Sequence, residues 1–374
     1  MVISLLTAKG IIKALVSDLW GFMRLKPGIL ISCALLAMAT PVPCQATPIY
    51  NNQSDIGEKL QIPVHSWTNP DRPVKGIIVA LQGLIFSGRM YGTLATHFTD
   101  MGYIVYANDM RGFGDWRDPN HKFDGDSAIH FSQSKDDLTA MLKELRKKYP
   151  EKPIFCIGES FGANMAIWEA STDPTLLDGV IASSAVAKNR VHPRPLWLKT
   201  FMQGLQNPKQ PIDIASYYKP LLSEDIRITQ ELMESAETCK AMSVTDLIKA
   251  AVTNRNALKE INKIPENMPI LLLAGKLDQV QNTAALAAMV PKMGTKKATM
   301  VVLPRKGHML IECSKIEPEV GTKIDSWLEH EVNEFERRAQ ARTAASLASS
   351  NARAAARTAS RTTPDELSRE SEHN

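Results

Sequence analysis

Ser160 stands in the stretch FCIGESFGANM, flanked by Gly158 and Gly162, with an apolar run before it and a helical pattern after it. A serine hydroxyl is a poor nucleophile until a base takes its proton. The pattern G-x-S-x-G at a strand-to-helix turn holds the serine in strained backbone geometry, with glycines where the chain must approach itself closely. Its hydroxyl then projects from the carboxyl end of a sheet, beside a helix N-terminus whose dipole favours developing negative charge. The chemistry on offer is attack on a carbonyl.

In such an architecture an acid and then a histidine follow the serine along the chain. Of eight histidines only His192, His308, His330 and His373 come after Ser160. His308, in LPRKGHML, lies just beyond the apolar run ATMVVLP, where a base can reach the serine; the others fall in a proline-rich interval, a helical pattern and a polar tail. The run PILLLAG ends in KLDQVQN, which puts Asp278 where a carboxylate can orient the imidazole of His308. The structural alternative for Asp278 is a turn or cap before the helical TAALAAM, and Asp225 and Asp246 are weaker acids for the role. Two backbone amides must meet the oxyanion. Phe161 supplies one as the residue after the serine, and Leu84 the other, from the loop ALQGLIFSGRMY.

The elements that position these residues alternate from about residue 74 onward. VKGIIVAL, YIVYAND, PIFCIG, LDGVIASSA, PILLLAG and ATMVVLP read as strands, with helical spacing between them. Leu138, Met141, Leu142, Leu145 and Tyr149 form one helical stripe behind a candidate N-cap at Ser134; Val320, Ile324, Trp327, Leu328, Val332 and Phe335 form another that closes the domain. Together they predict an α/β fold: a mostly parallel central sheet with helices on both faces. Residues 188–265 carry Pro193, Pro195, Pro208, Pro211 and Pro220 among short helical patterns and no convincing strand, and read as an inserted helical cap. The core is then 47–187 and 266–336, and residues 337–374, rich in Ala, Arg and Ser, read as a disordered or frayed-helical tail.

With a serine, an acid and a histidine each at a strand end, the sequence resembles the α/β-hydrolase superfamily. More narrowly, QGLIFSGRMY, ANDMRGFGDW, GESFGA, LLLAGKLDQV and KGHM are similar to landmark segments of its monoacylglycerol lipase, lysophospholipase and serine aminopeptidase-like branch. The likeness spans about residues 60–335. Two positions depart from the branch: Gln82 stands where a histidine is usual, and Asp115 where a serine or histidine follows the D-x-R-G-x-G segment. That segment, with Asp109, Arg111, Gly112 and Gly114, reads as a structural turn. The resemblance implies a serine hydrolase working through an acyl-enzyme on a small-molecule acyl ester, with no metal or organic cofactor and with transient membrane-surface contact if the substrate is a lipid. A peptidase or amidase of the same fold, and a binding protein whose catalytic residues are disused, are the alternatives.

Charge excludes one class of partner. The formal net charge is +4, but residues 1–46 hold four Lys/Arg against Asp18 and residues 337–374 hold seven Arg against four acids. The body between is slightly acidic, with no basic face for nucleic acid. Near the start, MRLKPG, ILISCALLAMA and PVPCQA give a basic start, an apolar stretch and a small-residue end, the pattern of a signal peptide ending at Ala46, with translation starting at Met1 or at Met23. Export to the periplasm or medium is expected; an uncleaved anchor, or a lipoprotein attached through Cys33, is the alternative. Loss of that segment leaves Cys156, Cys239 and Cys313, an odd number that forbids a complete disulfide framework. The oligomeric state is left open by the sequence.

Overall fold

The structure, a computed structural model, describes residues 47–190 and 195–361. The chain first lays down β1 (Ile49–Asn51), α1 (Asp55–Leu60), β2 (Val64–Thr68), β3 (Gly76–Leu81), α2 (Gly92–Asp100) and β4 (Tyr103–Asn108). It continues through α3 (Phe131–Lys148), β5 (Ile154–Glu159), α4 (Phe161–Thr172) and β6 (Gly179–Ser183). An insertion follows: α5 (Pro195–Gln206), β7 (Pro211–Asp213), α6 (Ala215–Tyr218), α7 (Ile226–Glu234), β8 (Ala241–Ser243) and α8 (Val244–Ala257). The chain then returns to the sheet as β9 (Ile270–Gly275), α9 (Thr283–Met289), β10 (Ala298–Leu303) and the long α10 (Pro318–Arg361).

The main sheet has eight strands in the order β1-β2-β4-β3-β5-β6-β9-β10. From β4 to β10 every pairing is parallel, while β1 and β2 add an antiparallel edge. The central strands read as unbroken apolar runs because both of their faces are covered. Ile77, Val79, Ile154 and Cys156 pack on the side of α3 and α4, while Ile78, Ala80, Phe155 and Ile157 pack on the side of α2 and α10. The three cysteines among the described residues are buried free thiols.

All six expected strands are present, and the structure adds four. In β2 the buried His65 and Ser66 interrupt the apolar pattern, and β1, β7 and β8 are three residues long, too short to show a period. The interval expected to lack strands therefore holds the antiparallel ribbon β7–β8. Ser134 lies inside α3 and does not cap it: its hydroxyl donates to the His130 carbonyl and accepts the Arg111 amide. Val320, Ile324, Leu328 and Val332 of α10 are buried as the stripe requires, and Trp327 meets Phe155 edge-on. The helix then runs through the stretch expected to be frayed or disordered as far as Arg361, with residues 341–357 exposed. Alanine's high helix propensity carries it where nothing packs. No helix among the described residues is long and apolar enough to cross a membrane.

Candidate active site

At the end of β5 the chain reverses direction in one residue. Ser160 takes φ 55° and ψ −112°, a conformation that costs a β-carbon-bearing residue about 1–3 kcal/mol and persists only when its surroundings enforce it. They do so by close approach: a β-carbon on Gly162 would lie 1.9 Å from the Leu81 carbonyl oxygen, and one on Gly158 would lie 2.3 Å from the Gly162 carbonyl carbon. The Ser160 amide donates to the Ser183 carbonyl at 2.8 Å, tying the turn to β6. Phe161 opens α4, so its amide is one of the first-turn donors that find no partner within a helix.

The loops after β9 and β10 meet the turn. Leu277 donates its amide to the Lys306 carbonyl at 2.9 Å, which joins the two loops. Asp278 Oδ1 accepts the Val280 and Gln281 amides at 2.8 and 3.0 Å, leaving Oδ2 to accept His308 Nδ1–H at 2.8 Å. Because a carboxylate only accepts, the proton sits on Nδ1, and the bare Nε2 accepts the Ser160 hydroxyl at 2.8 Å. Asp278 and His308 are both buried. Burial works against a charged imidazole, but the charge and hydrogen bond of Asp278 outweigh it, with Glu159 adding, and the His308 pKa is raised. Burial likewise opposes the Asp278 carboxylate, yet His308 and the two amides hold its pKa below the ordinary value. Asn282, not Asp278, caps α9, by accepting the Ala285 amide. Asp225 and Asp246 are spent in the insertion, the first capping α7 and pairing with Arg227, the second hydrogen-bonded to Ser243 at the start of α8. His330 sits on α10 3.9 Å from Glu331, and His192 and His373 lie outside the described residues.

Leu84 and Phe161 line the same cavity as Ser160 and His308, a space of about 260 Å³ between the strand ends and the insertion. Its other walls are mainly apolar, among them Phe86, Ile214, Leu221, Leu247 and Met309, and no Asp or Glu is among its described lining residues. The insertion also grips the histidine loop: the Leu222 carbonyl accepts the amides of His308 and Met309 at 3.1 and 2.9 Å, and Glu224 Oε2 accepts the Gly307 amide at 2.7 Å.

Glu159, the residue before the serine, is a functional position that sequence reasoning passed over. It is fully buried, and four donors surround its carboxylate: the Ser183 hydroxyl and Leu310 amide on Oε1, at 2.7 and 2.9 Å, and the Ile311 and Glu312 amides on Oε2, at 3.1 and 2.9 Å. It thereby fastens the segment after His308 to the serine turn. The available signal was a charged residue between a strand and a tight turn, where solvent has no access.

Residues 72–313 match the family described as serine aminopeptidase, S33. The chain belongs to this family. A monoglyceride lipase homolog of Monkeypox virus is 22% identical over 65% of this chain and 84% of its own length. The monoglyceride lipase of Rattus norvegicus is 21% identical over 70% of this chain and 85% of its own. Among solved structures, the monoacylglycerol lipase of Paleococcus ferrophilus aligns with a TM-score of 0.58 at 20% identity, over 73% of this chain and 98% of that one. A soluble variant of the Saccharomyces cerevisiae monoglyceride lipase, solved with a substrate analog, aligns with a TM-score of 0.59 at 16% identity, over 79% and 99%. The fold is thus that of the α/β hydrolases.

Both departures of this S33 chain are absorbed by hydrogen bonds. Gln82 is buried; its Nε2 donates to the Phe86 carbonyl and its Oε1 accepts the Met110 amide at 3.1 Å, bracing the loop that carries Leu84 against the end of β4. Asp109 accepts the amides of Gly88 and Asp115, each at 2.7 Å, and Asp115 pairs with Arg89, which also reaches Glu237 of the insertion at 2.9 Å. His65, Asp109 and Asp115 bring ligand-type atoms within 4.8 Å of one another. With both Asp109 oxygens on amides and a guanidinium on Asp115, the cluster fits a structural brace better than a metal site.

Proposed function

We propose that the protein is a serine hydrolase that cleaves carboxylic esters of lipid-like substrates, monoacylglycerol or lysophospholipid, through an acyl-enzyme. Ser160 Oγ attacks the ester carbonyl carbon as its proton passes to His308 Nε2, and the amides of Leu84 and Phe161 receive the charge that develops on the carbonyl oxygen. Collapse of the tetrahedral adduct expels the alcohol oxygen, which takes the proton from His308; water then repeats the sequence on the acyl-enzyme and frees the acid. Asp278 fixes the imidazole tautomer and stabilises the imidazolium. The observation that carries this reading is the pair of 2.8 Å contacts linking Asp278, His308 and Ser160 at the floor of an apolar cavity.

The family description also raises a peptidase reading. An aminopeptidase needs negative charge for the substrate's free α-ammonium group, and a described lining that holds Arg190 and no Asp or Glu favours an ester over an aminoacyl substrate. The lipase names of the relatives point the same way. Turnover of monoacylglycerol and lysophospholipid chain-length series, set against aminoacyl p-nitroanilides, tests the choice. Faster cleavage of esters is expected; faster cleavage of the anilides would overturn the reading.

Residues 188–265 act in this proposal as the cap over the acyl group. Residues 1–46, which lie outside the described residues, act as an export signal; the basic start, apolar stretch and small-residue end support this. N-terminal sequencing of protein recovered outside the cytoplasm should begin at Thr47, and an intact Met1 or Met23 on cytoplasmic protein would contradict export.

A further inference from the structure

Glu312 lies four residues beyond His308, with its side chain fully buried. Its Oε2 accepts the amide of Gly83 at 2.7 Å, the peptide immediately before Leu84. The contact leaves no slack, since a β-carbon on Gly83 would come 2.9 Å from that same oxygen. The Glu312 amide in turn donates to Glu159 Oε2 at 2.9 Å. Two carboxyl groups in series therefore join the serine turn, the segment after the histidine and the loop that carries Leu84.

The two carboxyls differ in their surroundings. Glu159 is met by four donors, whereas Glu312 is met by one, and its Oε1 has no hydrogen-bond partner among the described residues. Burial pushes the Glu312 carboxyl well above the ordinary carboxylate range; the Gly83 amide opposes that rise and the charge of Glu159 adds to it. A neutral acid accepts the Gly83 N–H without placing a second negative charge behind the loop. A carboxylate there would repel the oxyanion that the loop has to stabilise.

We propose that Glu312 is a positioning residue for the oxyanion loop, holding the Gly83 amide so that the Leu84 N–H is presented to the developing oxyanion. The role rests on the reading of Ser160 as nucleophile. Glutamine keeps an uncharged acceptor oxygen at the same reach, aspartate withdraws it by one methylene, and methionine removes it at similar volume.

The test is steady-state hydrolysis of a p-nitrophenyl ester by the full chain and its Glu312→Gln, Glu312→Asp and Glu312→Met variants, with folding followed by circular dichroism. Misplacing one oxyanion donor is expected to lower kcat about 100-fold in the Asp and Met variants with KM unchanged, while the Gln variant stays within about threefold of wild type. A folded Asp or Met variant with wild-type kcat would overturn the role, as would a Gln variant as impaired as Met. If Glu312→Met does not fold, the Asp and Gln variants decide by the same criteria. Stoichiometric labelling of wild type by a fluorophosphonate separates the two readings: a labelled, active wild type with unaffected variants removes the Glu312 role alone, and an inert wild type removes both.

Discussion

The floor and the roof of the cavity are built on opposite terms. In the floor, backbone contact dictates glycine at 158 and 162, and Asp278, His308 and Glu159 are buried with hydrogen-bond partners on each carboxylate oxygen and each ring nitrogen. In the roof, Leu198, Met202 and Leu205 of α5 and Ile248 and Val252 of α8 remain exposed, so one position constrains another far less. The difference teaches where each property resides. In the function proposed above, the strand ends hold the reaction, and the acyl group meets residues of the insertion that line the cavity, Ile214, Leu221 and Leu247 among them.

The sharpest way to break that comparison is to disturb the floor. Gly162→Ala would drive a methyl group against the carbonyl oxygens of Leu81 and Gln82, backbone atoms that cannot yield. A loss of more than about 4 kcal/mol is expected in denaturant unfolding, enough to deplete soluble protein; wild-type stability would show the turn to be looser than described.

Asp278→Asn should leave the fold intact and lower kcat about 10⁴-fold, through the wrong imidazole tautomer. The pH profile gives an independent sign. A base works only when neutral, so the raised pKa of His308 puts the acid limb of kcat/KM above the ordinary histidine value of 6.5, with activity lost as the pH falls through it. Removing the Asp278 charge leaves burial to dominate, and the limb should move to lower pH; an upward shift would contradict the assigned electrostatics.

Changes in the roof should be smaller. Ala251 lines the cavity from α8 at an exposed position, and Ala251→Phe is expected to reduce the preference for long over short acyl esters about tenfold, with little change for the shortest ester. An equal loss for all chain lengths would place the effect in the floor instead. Leu198→Ser, on the exposed face of α5, should shift unfolding by no more than about 0.5 kcal/mol.

The same contrast explains what the sequence could disclose. Ser160, Asp278 and His308 were legible because the chemistry demands given residue types in a given order, each after an apolar run that marks a buried strand. β2 was hidden because His65, buried against Asp109 at 3.3 Å, breaks the alternation a half-buried strand would show. The β7–β8 ribbon is too short for any period. Glu159 and Glu312 escaped because a carboxyl reads as a surface residue until a fold encloses it, and the donors that surround them come from segments up to 229 residues away in sequence. The helix beyond residue 337 follows from alanine propensity, which sequence composition alone did not separate from disorder.

The central claim is that Ser160 is activated for covalent catalysis. Intact-mass analysis after incubation with a fluorophosphonate, followed by peptide mapping, addresses it most directly. One adduct per chain is predicted, located on Ser160 and lost in Ser160→Ala and in His308→Ala. A folded protein that takes up no label, or takes it up at another residue, would contradict the account.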